Sequence, residues 1–407
     1  MIAVQPDHDQ PITATGDNQP TSCPLCGATT LIDFLGVANV PITVGLLWPT
    51  QAEARQSPVG DIQLAYCRHC GFVYNRLFEP EKLVYAPGYE ISLHHSPLYR
   101  TFMADVAQYL IAQYTLHNQS VIEIGCGKAI FLQLLCQLGA NEGFGFDPAL
   151  EHEGIEMVGE ARLTLVRDYY TQHYAHLPHA LICCRHVFNQ LAQPRNFLTT
   201  LRQIIGEQTE TVLYFEIPNG EYSFRGQATW NVFYERCSYF TEQTLAQIFA
   251  MSGFEVLRVV PCYADDQYLS IEARPSGIRS WDSSQTSTTL PNTLYAYAAH
   301  YHQKIIDWQI RLRMMQQANQ RVVAWGSGGQ GITFLNVLQT QQQVAYVVDI
   351  NPERQGKFVP GSGQQVVGPE FLQQYRPDVV LITNPTYEHE IKQTVAALGL
   401  TCEFIVT

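Results

Sequence analysis

The stretch Ser120-Val-Ile-Glu-Ile-Gly-Cys-Gly-Lys-Ala129 decides the fold of this 407-residue chain. The residues up to Ile124 form an apolar run typical of a buried strand, and a glycine turn follows that opens a helix reaching Leu138. Similar short strand patterns recur further along the chain with helical patterns between them, at 142–147, 180–184, 211–216 and 254–258. This alternation predicts an α/β fold with a parallel sheet covered on both faces.

The glycine turn also carries a ligand-binding pattern. Glu123, Gly125, Gly127 and Ala129 are spaced at every second residue, and Asp147 ends the next strand. Glycines let the backbone approach a ligand, and an acid at the end of the second strand accepts hydrogen bonds from ribose hydroxyls. The spacing lacks the third glycine of a dinucleotide loop, whereas an acidic loop suits a sulfonium cation. The pattern therefore favours S-adenosylmethionine.

Asp168, in Val166-Arg-Asp168, falls where such folds place an acid near the adenine. The alternative for Asp168 and Asp147 is that each is a solvated residue at the end of a strand with no ligand to bind, because polar residues are mostly exposed.

Two matched Cys-x-x-Cys-Gly turns stand near the N-terminus. Cys23 and Cys26 form one pair, and Cys67 and Cys70 form the other. Four thiolates on two tight turns match the tetrahedral coordination that structural Zn²⁺ prefers. The long segment between the pairs predicts an inserted lobe. The alternatives are four buried thiols or two disulfides.

Composition narrows the class of protein. A net charge of −13 argues against nucleic acid as a partner, because phosphate binding needs a basic surface. No apolar run approaches the roughly 18–20 residues of a membrane span. The other cysteines are scattered in apolar contexts as free thiols, which suits a reducing cytoplasm. Residues 1–20 lack a signal-peptide pattern and are expected to be a disordered lead.

A second α/β pattern occupies the C-terminal part. The strand 321–325 is followed by Gly326-Ser-Gly-Gly-Gln-Gly331, which opens a helix, and the next strand ends at Asp349. Such a loop presents backbone N–H groups to a phosphate, and Asp349 stands where a ribose-binding acid would. Taken alone, the pattern predicts a nicotinamide site, but no Lys/Tyr pair suited to hydride transfer is apparent.

Residues 23 to about 400 resemble the three-domain C-methyltransferases that act on nucleotide-linked deoxysugars. The motifs that carry the resemblance are the cysteine turns, Glu123–Gly127, 234–240, the 326–331 loop, Asp349-Ile-Asn-Pro352, Gln355-Gly-Lys357, Pro360-Gly361 and Asn384-Pro385. The resemblance implies a zinc-binding lobe at 21–80, an S-adenosylmethionine domain at 81–275, a linker helix at 276–319 and a C-terminal Rossmann-like domain at 320–407. It also implies a cytoplasmic methyltransferase whose acceptor is a nucleotide-sugar or a related intermediate.

The segment Phe233-Tyr-Glu-Arg-Cys-Ser-Tyr-Phe240 matches the catalytic segment of that family, in which a histidine removes the acceptor proton. Arg236 stands at the histidine position. Arginine stays protonated and does not serve as an ordinary base. The protein must then use another base or another acceptor, or it has lost the chemistry. Glu235 could act as the base if it is partly desolvated, and His94 and His95 are further candidates.

Arg236 could instead hold a carboxylate or a phosphate. We expect Glu235 and Arg236 to line the acceptor pocket beside Tyr89 and Tyr234. The alternative is that Glu235 and Arg236 form a local structural ion pair.

The resemblance further implies that the C-terminal domain holds the nucleotide part of the substrate or closes the cleft. The expected substrate-binding residues are Gly326, Ser327, Gly328, Asp349 and Asn384. Two other functions stay open from the sequence: a binding protein on an altered methyltransferase fold, and an NAD(P)-dependent enzyme. Whether the acceptor atom is carbon or oxygen is also open.

Overall fold

The structure is a computed structural model that describes residues 21–85, 87–90, 93–280 and 290–407. The lead expected at 1–20 lies outside the described residues. The strands are β1 (Leu31–Pro41), β2 (Val59–Cys67), β3 (Val73–Asn75), β4 (Ser120–Ile124), β5 (Glu142–Phe146), β6 (Gly154–Val158), β7 (Ala161–Val166), β8 (Leu181–Arg185), β9 (Val212–Pro218), β10 (Ser238–Tyr239), β11 (Phe254–Cys262), β12 (Tyr268–Pro275), β13 (Val322–Trp325), β14 (Val344–Val348), β15 (Gln365–Val367), β16 (Val379–Ile382) and β17 (Glu403–Val406).

The helices are α1 (Gln51–Arg55), α2 (Pro97–Tyr114), α3 (Ile130–Gly139), α4 (Pro194–Ile205), α5 (Gly220–Arg225), α6 (Glu242–Met251), α7 (Leu290–Gln317), α8 (Gly329–Val337), α9 (Leu372–Tyr375) and α10 (Glu388–Ala397). Short 3-10 helices lie at Pro80–Lys82, Gln172–Tyr174, Phe188–Gln190, Thr229–Asn231, Thr340–Gln342, Pro369–Phe371 and Pro385–Tyr387. Within the described part of the chain, no helix combines the length and the apolarity that crossing a membrane requires.

The central sheet has eight strands in the order β11-β12-β9-β8-β4-β5-β7-β6. Strands β9, β8, β4, β5 and β7 run parallel, while β12, β11 and β6 are antiparallel additions at the two edges. The chain leaves β4 toward β5 on one side and returns to β8 on the other. Ligands of open α/β sheets bind at such a reversal, outside the carboxyl ends of the strands. The predicted α/β fold is confirmed.

The C-terminal sheet is wholly parallel, in the order β15-β14-β13-β16-β17. The long helix α7 precedes it, and its Trp308 packs edge-on against Phe334 of α8. Trp230, from the central part of the chain, contacts the same Phe334 ring at a centroid distance of 5.0 Å. The second Rossmann-like unit therefore packs directly against the central part of the chain.

The N-terminal lobe shares its core with the central sheet. Its antiparallel sheet, in the order β1-β2-β3-β10, takes its last strand from the segment just after Arg236. Phe72 beside the second cysteine turn packs on Phe240 at 4.9 Å between ring centroids. The next helix, α6, starts at a capping box between Thr241 and Thr244. The segment that carries Glu235 and Arg236 is thus followed directly by a strand of the lobe and by a capped helix, which fix its C-terminal end.

Candidate functional site

The glycine turn after β4 is shaped by positive backbone angles. Gly125 and Gly127 have φ values of 70° and 52°. A Cβ on Gly125 would lie 2.2 Å from Cγ2 of Val187, so only glycine fits there. The amide of Gly127 donates to Oδ2 of Asp147 at 2.9 Å, and the amide of Ala149 donates to Oδ1 at 2.7 Å. The turn and the acid of the next strand are therefore held together as one unit.

Glu123 is buried behind this turn. Its carboxylate accepts a hydrogen bond from the amide of Leu132 at 3.2 Å. Burial raises the pKa of Glu123 to about 8, because removal from water disfavours the charged form of a carboxyl group. Ala129 is also fully buried, with a φ of 56°, and it precedes the first residue of α3. Ala129 thus shapes the turn from below, while Glu123 places a titratable carboxyl group under it.

A cavity of about 570 Å³ lies at the carboxyl edge of β4, β5 and β8. Five of the six residues expected to bind the cofactor line it, namely Glu123, Gly125, Gly127, Asp147 and Asp168. The carboxylate of Asp168 accepts from the hydroxyl of Tyr174 at 2.8 Å and from the amide of Tyr169 at 2.8 Å. The size is that of an ordinary small-molecule site. We call this space the cofactor cavity.

Glu235 is fully buried where the N-terminal lobe meets the central sheet. Its Oε1 accepts from the amide of Val44 at 2.7 Å, and its Oε2 accepts from the hydroxyl of Tyr89 at 2.9 Å. Gln190 donates to the Tyr89 hydroxyl at 3.3 Å. Burial raises the pKa of Glu235 above its ordinary value, although these hydrogen bonds oppose the shift. Glu235 therefore joins Tyr89 and the 44–45 backbone into one network.

Tyr234 points away from this network. Its ring packs against Phe78 at 5.3 Å and its hydroxyl accepts from the amide of Glu79 at 2.9 Å. It lines neither of the two large cavities formed by the described residues. The structure thus places Tyr89 in the wall of the cofactor cavity but leaves Tyr234 in the core of the N-terminal lobe.

A second cavity, of about 420 Å³, lies between the central sheet and the C-terminal domain. We call it the acceptor cavity, after the role that we propose for it below. Of the predicted substrate-binding residues it is lined by Gly326, Gly328, Asp349 and Asn384. Ser327 is fully buried beneath the loop, where its amide donates to Asp349 at 3.0 Å and its hydroxyl contacts the same carboxylate. Glu235 and Arg236 also line this cavity.

His186 lies where the two cavities meet, and the sequence analysis missed it. It follows the last residue of β8, has a φ of 59°, and lines both cavities. Its Nε2 lies 2.9 Å from Oε1 of Glu216 and 3.2 Å from the hydroxyl of Tyr99. Nδ1 has no hydrogen-bond partner among the described residues. The only sequence signal was its position just after the strand pattern 180–184.

Glu216 and Arg185 form a buried ion pair beside His186. Arg185 donates to Oε1 of Glu216 at 2.9 Å, and the hydroxyl of Tyr214 donates to Oε2 at 3.0 Å. Burial raises the pKa of Glu216, but Arg185 and His186 outweigh burial and lower it to about 2. Glu216 is therefore an anion that fixes the His186 ring.

The four cysteines of the N-terminal turns converge. The Sγ atoms of Cys23 and Cys70 are 3.6 Å apart, as are those of Cys26 and Cys67. All four sulfurs lie within 4.8 Å of one another. A Zn–S bond of about 2.3 Å places tetrahedral sulfurs about 3.8 Å apart, so the cluster fits a Zn²⁺ ion.

Two family models match this chain. Residues 95–259 match a methyltransferase domain, and residues 285–407 match a C-methyltransferase C-terminal domain. The C-methyltransferase NovU of Streptomyces niveus is 22% identical over 391 residues, which cover 91% of this chain and 90% of that protein.

Solved structures with similarity include an S-adenosylmethionine-dependent methyltransferase from Clostridium acetobutylicum ATCC 824 (13% identity, TM-score 0.33, 44% of this chain and 92% of that chain). Another is magnesium protoporphyrin IX methyltransferase from Synechocystis PCC 6803 with bound S-adenosylmethionine (17% identity, TM-score 0.32, 44% and 80%). Both TM-scores are below 0.5, and the α/β fold is established by the strand order of the two sheets.

The chain is an S-adenosylmethionine-dependent methyltransferase. Both matched models describe methyltransferase domains, and the full-length relative is a C-methyltransferase. The predicted enzyme class is thereby confirmed, while the acceptor is a separate question.

Proposed function

We propose that the protein methylates a carbon atom next to a carbonyl group in a nucleotide-linked sugar, with His186 as the base. The observation that carries the proposal is His186 at the junction of the cofactor and acceptor cavities, held by Glu216 through Nε2. S-adenosylmethionine, when bound, supplies the methyl group. The chain's own residues must then bind the acceptor, orient it and take its proton.

The ring of His186 is set up for that proton transfer. Because Nε2 faces the Glu216 carboxylate, Nε2 carries the hydrogen and Nδ1 keeps its lone pair. The side chain is 20% exposed, which leaves it accessible from the cavities. The proton leaves the acceptor carbon for Nδ1, and the electron pair of the broken C–H bond is delocalised into the adjacent carbonyl. A neutral imidazole accepts a proton, so His186 takes over the role that Arg236 cannot perform.

Glu235 acts as a positioning residue in this proposal. Both of its oxygens already accept hydrogen bonds from Val44 and Tyr89. It therefore fixes Tyr89 in the wall of the cofactor cavity and leaves proton removal to His186.

The acceptor cavity supports a nucleotide-linked substrate. Its C-terminal wall contains Gly326 and Gly328 before α8, a loop suited to a phosphate group, together with Asp349. The full-length similarity to a C-methyltransferase and the C-methyltransferase C-terminal model favour transfer to carbon.

Turnover assays with matched sugars test this proposal. The purified protein is incubated with S-adenosylmethionine and thymidine-diphosphate-linked keto-deoxysugars, and release of S-adenosylhomocysteine is followed. We expect turnover with at least one keto-sugar and none with its reduced alcohol, because only the ketone acidifies the neighbouring C–H bond. Equal turnover with the alcohol would contradict removal of a carbon-bound proton.

The position of Asp147 in the cofactor cavity predicts that this residue contributes to cofactor affinity. Replacing it by alanine should weaken S-adenosylhomocysteine binding by about 1.5–3 kcal/mol, because a charged acceptor for the ribose hydroxyls is lost. Asp105→Ala, at an exposed position of α2, is the matched control and should leave affinity unchanged. Calorimetric titration measures both. Wild-type affinity in Asp147→Ala would show that the ribose binds elsewhere.

The geometry of the cysteine cluster predicts that the purified protein contains zinc. We expect about one zinc ion per chain, bound by the four sulfurs described above, and its loss in Cys26→Ser. Thermal unfolding of that variant should begin at lower temperature and include the central sheet, since Phe72 and Phe240 join the two cores. Cys402→Ser, at a partly exposed cysteine in the C-terminal domain, is the control. Metal analysis that finds no zinc in the wild type would refute the assignment.

A further inference from the structure

Arg236 presents a positive charge to the acceptor cavity without an anionic partner. Its Nη1 donates to the carbonyl of Asn231 at 3.3 Å, and its guanidinium lies 4.6 Å from the centre of the Phe233 ring. Its Nε is buried and has no hydrogen-bond partner. Among the described residues it forms no ion pair, not even with its neighbour Glu235, so the expected alternative of a local ion pair is wrong.

The carboxylates that share this cavity already have other partners. Glu235 is held by Val44 and Tyr89, as described above. Glu390 accepts from the hydroxyl of Ser96 at 3.0 Å and from the amide of Leu98 at 3.0 Å. Asp349 accepts from the amide of Ser327 and lies 3.8 Å from Arg354. None of these groups neutralises Arg236.

An unpaired guanidinium with a buried Nε lowers the stability of the protein when no ligand is bound. Removing a cation from water carries a large desolvation penalty unless an anion compensates for it. Burial lowers the pKa of Arg236, and the nearby groups that oppose the shift are tyrosine hydroxyls. A guanidinium also offers parallel N–H donors that match the two oxygens of a carboxylate or phosphate.

We infer that Arg236 is a binding site for an oxyanion, a carboxylate or a phosphate carried by the methyl acceptor. The inference rests on the proposed function, because it assigns the acceptor to this cavity, and it adds that the acceptor is acidic at the Arg236 wall. A carboxylate would belong to a sugar acid, whereas a phosphate would belong to the nucleotide. The Phe233 ring packs against the Arg236 guanidinium and also lies against Gly329 at the start of α8. Either kind of oxyanion would therefore bind within the same cavity.

Calorimetric titrations with malonate and with inorganic phosphate test the site without knowledge of the sugar. The full-length protein, saturated with S-adenosylhomocysteine, is used at low ionic strength. We expect at least one of the two anions to bind, and Arg236→Gln to weaken it about 10- to 150-fold. If only malonate binds, the site is selective for a carboxylate. If only phosphate binds, it is selective for a phosphate, and binding of both identifies an unselective oxyanion site. If neither anion binds to the wild type, or both bind equally to Arg236→Gln, the inference is overturned.

The matched control is Arg225→Gln, which removes an exposed arginine paired with Glu221 on α5. It should leave anion binding unchanged. Affinity for S-adenosylhomocysteine should be the same in all three proteins, which shows that each is folded around its cofactor cavity. Loss of that affinity in Arg236→Gln would assign the residue a general structural role and contradict the inference.

Thermal unfolding of Arg236→Met gives a second, independent readout. A residue kept for an absent anion should not stabilise the free protein, so the midpoint should stay the same or rise. A clear fall would make Arg236 a structural residue and overturn the inference. Anion binding that depends on Arg236, in a protein that methylates no sugar in the panel, would instead reject the proposed function and leave this site standing.

Discussion

His186→Gln should lower kcat by about 10²–10⁴ while leaving the affinity for S-adenosylhomocysteine unchanged. Glutamine keeps a polar side chain of similar reach beside Glu216, but its amide does not accept a proton near neutrality. The loss should therefore appear in turnover and leave cofactor binding intact. Steady-state kinetics with the active keto-sugar, combined with calorimetry, separates the two effects.

His302→Gln is the matched control, because His302 is exposed on α7 and far from the proposed chemistry in sequence. Its kcat should equal that of the wild type. A His186→Gln protein that keeps more than about a tenth of wild-type kcat would exclude His186 as the base.

Glu216→Ala should have the largest effect on stability. Glu216 is fully buried, and its removal leaves Arg185 and His186 without their carboxylate. Breaking a buried ion pair by deleting one partner costs about 3–5 kcal/mol, because the remaining charge is buried uncompensated. Urea unfolding measures the change in the free energy of unfolding.

Two comparisons sharpen the Glu216 experiment. Glu221→Ala removes a partly exposed partner of Arg225 and should cost no more than about 1 kcal/mol. The pKa of Glu216 is lowered from its ordinary 4.5 to about 2, so its contribution is complete above pH 4.5 and is lost as the pH falls through 2. The free energy of unfolding of Glu216→Ala should therefore lack the fall that the Glu216 carboxylate causes between pH 4.5 and pH 2. Equal stability of Glu216→Ala and Glu221→Ala would show that the ion pair does not matter.

The sequence predicted those parts of the site that depend on local backbone. Gly125 and Gly127 need positive φ angles, and Asp147 ends the adjacent strand, so their meeting follows from the strand–turn–helix pattern. Each cysteine pair is likewise fixed by its own tight turn, whereas the meeting of the two pairs depends on the pairing of β1 with β2, which places Leu31 opposite Cys67.

His186 was not predictable in this way because its role depends on a partner in another strand. Arg185 at the end of β8 stands in register with Glu216 in β9, and this pairing brings His186 to the same carboxylate. A single sequence does not show which strands are neighbours. Tyr234 illustrates the opposite error: it is adjacent to Glu235 in sequence, yet its side chain enters the lobe while that of Glu235 lines the acceptor cavity.

The position of the transferred methyl group tests the central claim most directly. The protein is incubated with S-adenosylmethionine labelled with ¹³C in its methyl group and with the keto-sugar that supports turnover, and the product is examined by NMR. We expect the labelled methyl carbon to be bonded to the ring carbon next to the carbonyl, and the label to be absent from the product made with His186→Gln. A labelled methyl group on oxygen, or equal labelling by both proteins, would contradict C-methylation with His186 as the base.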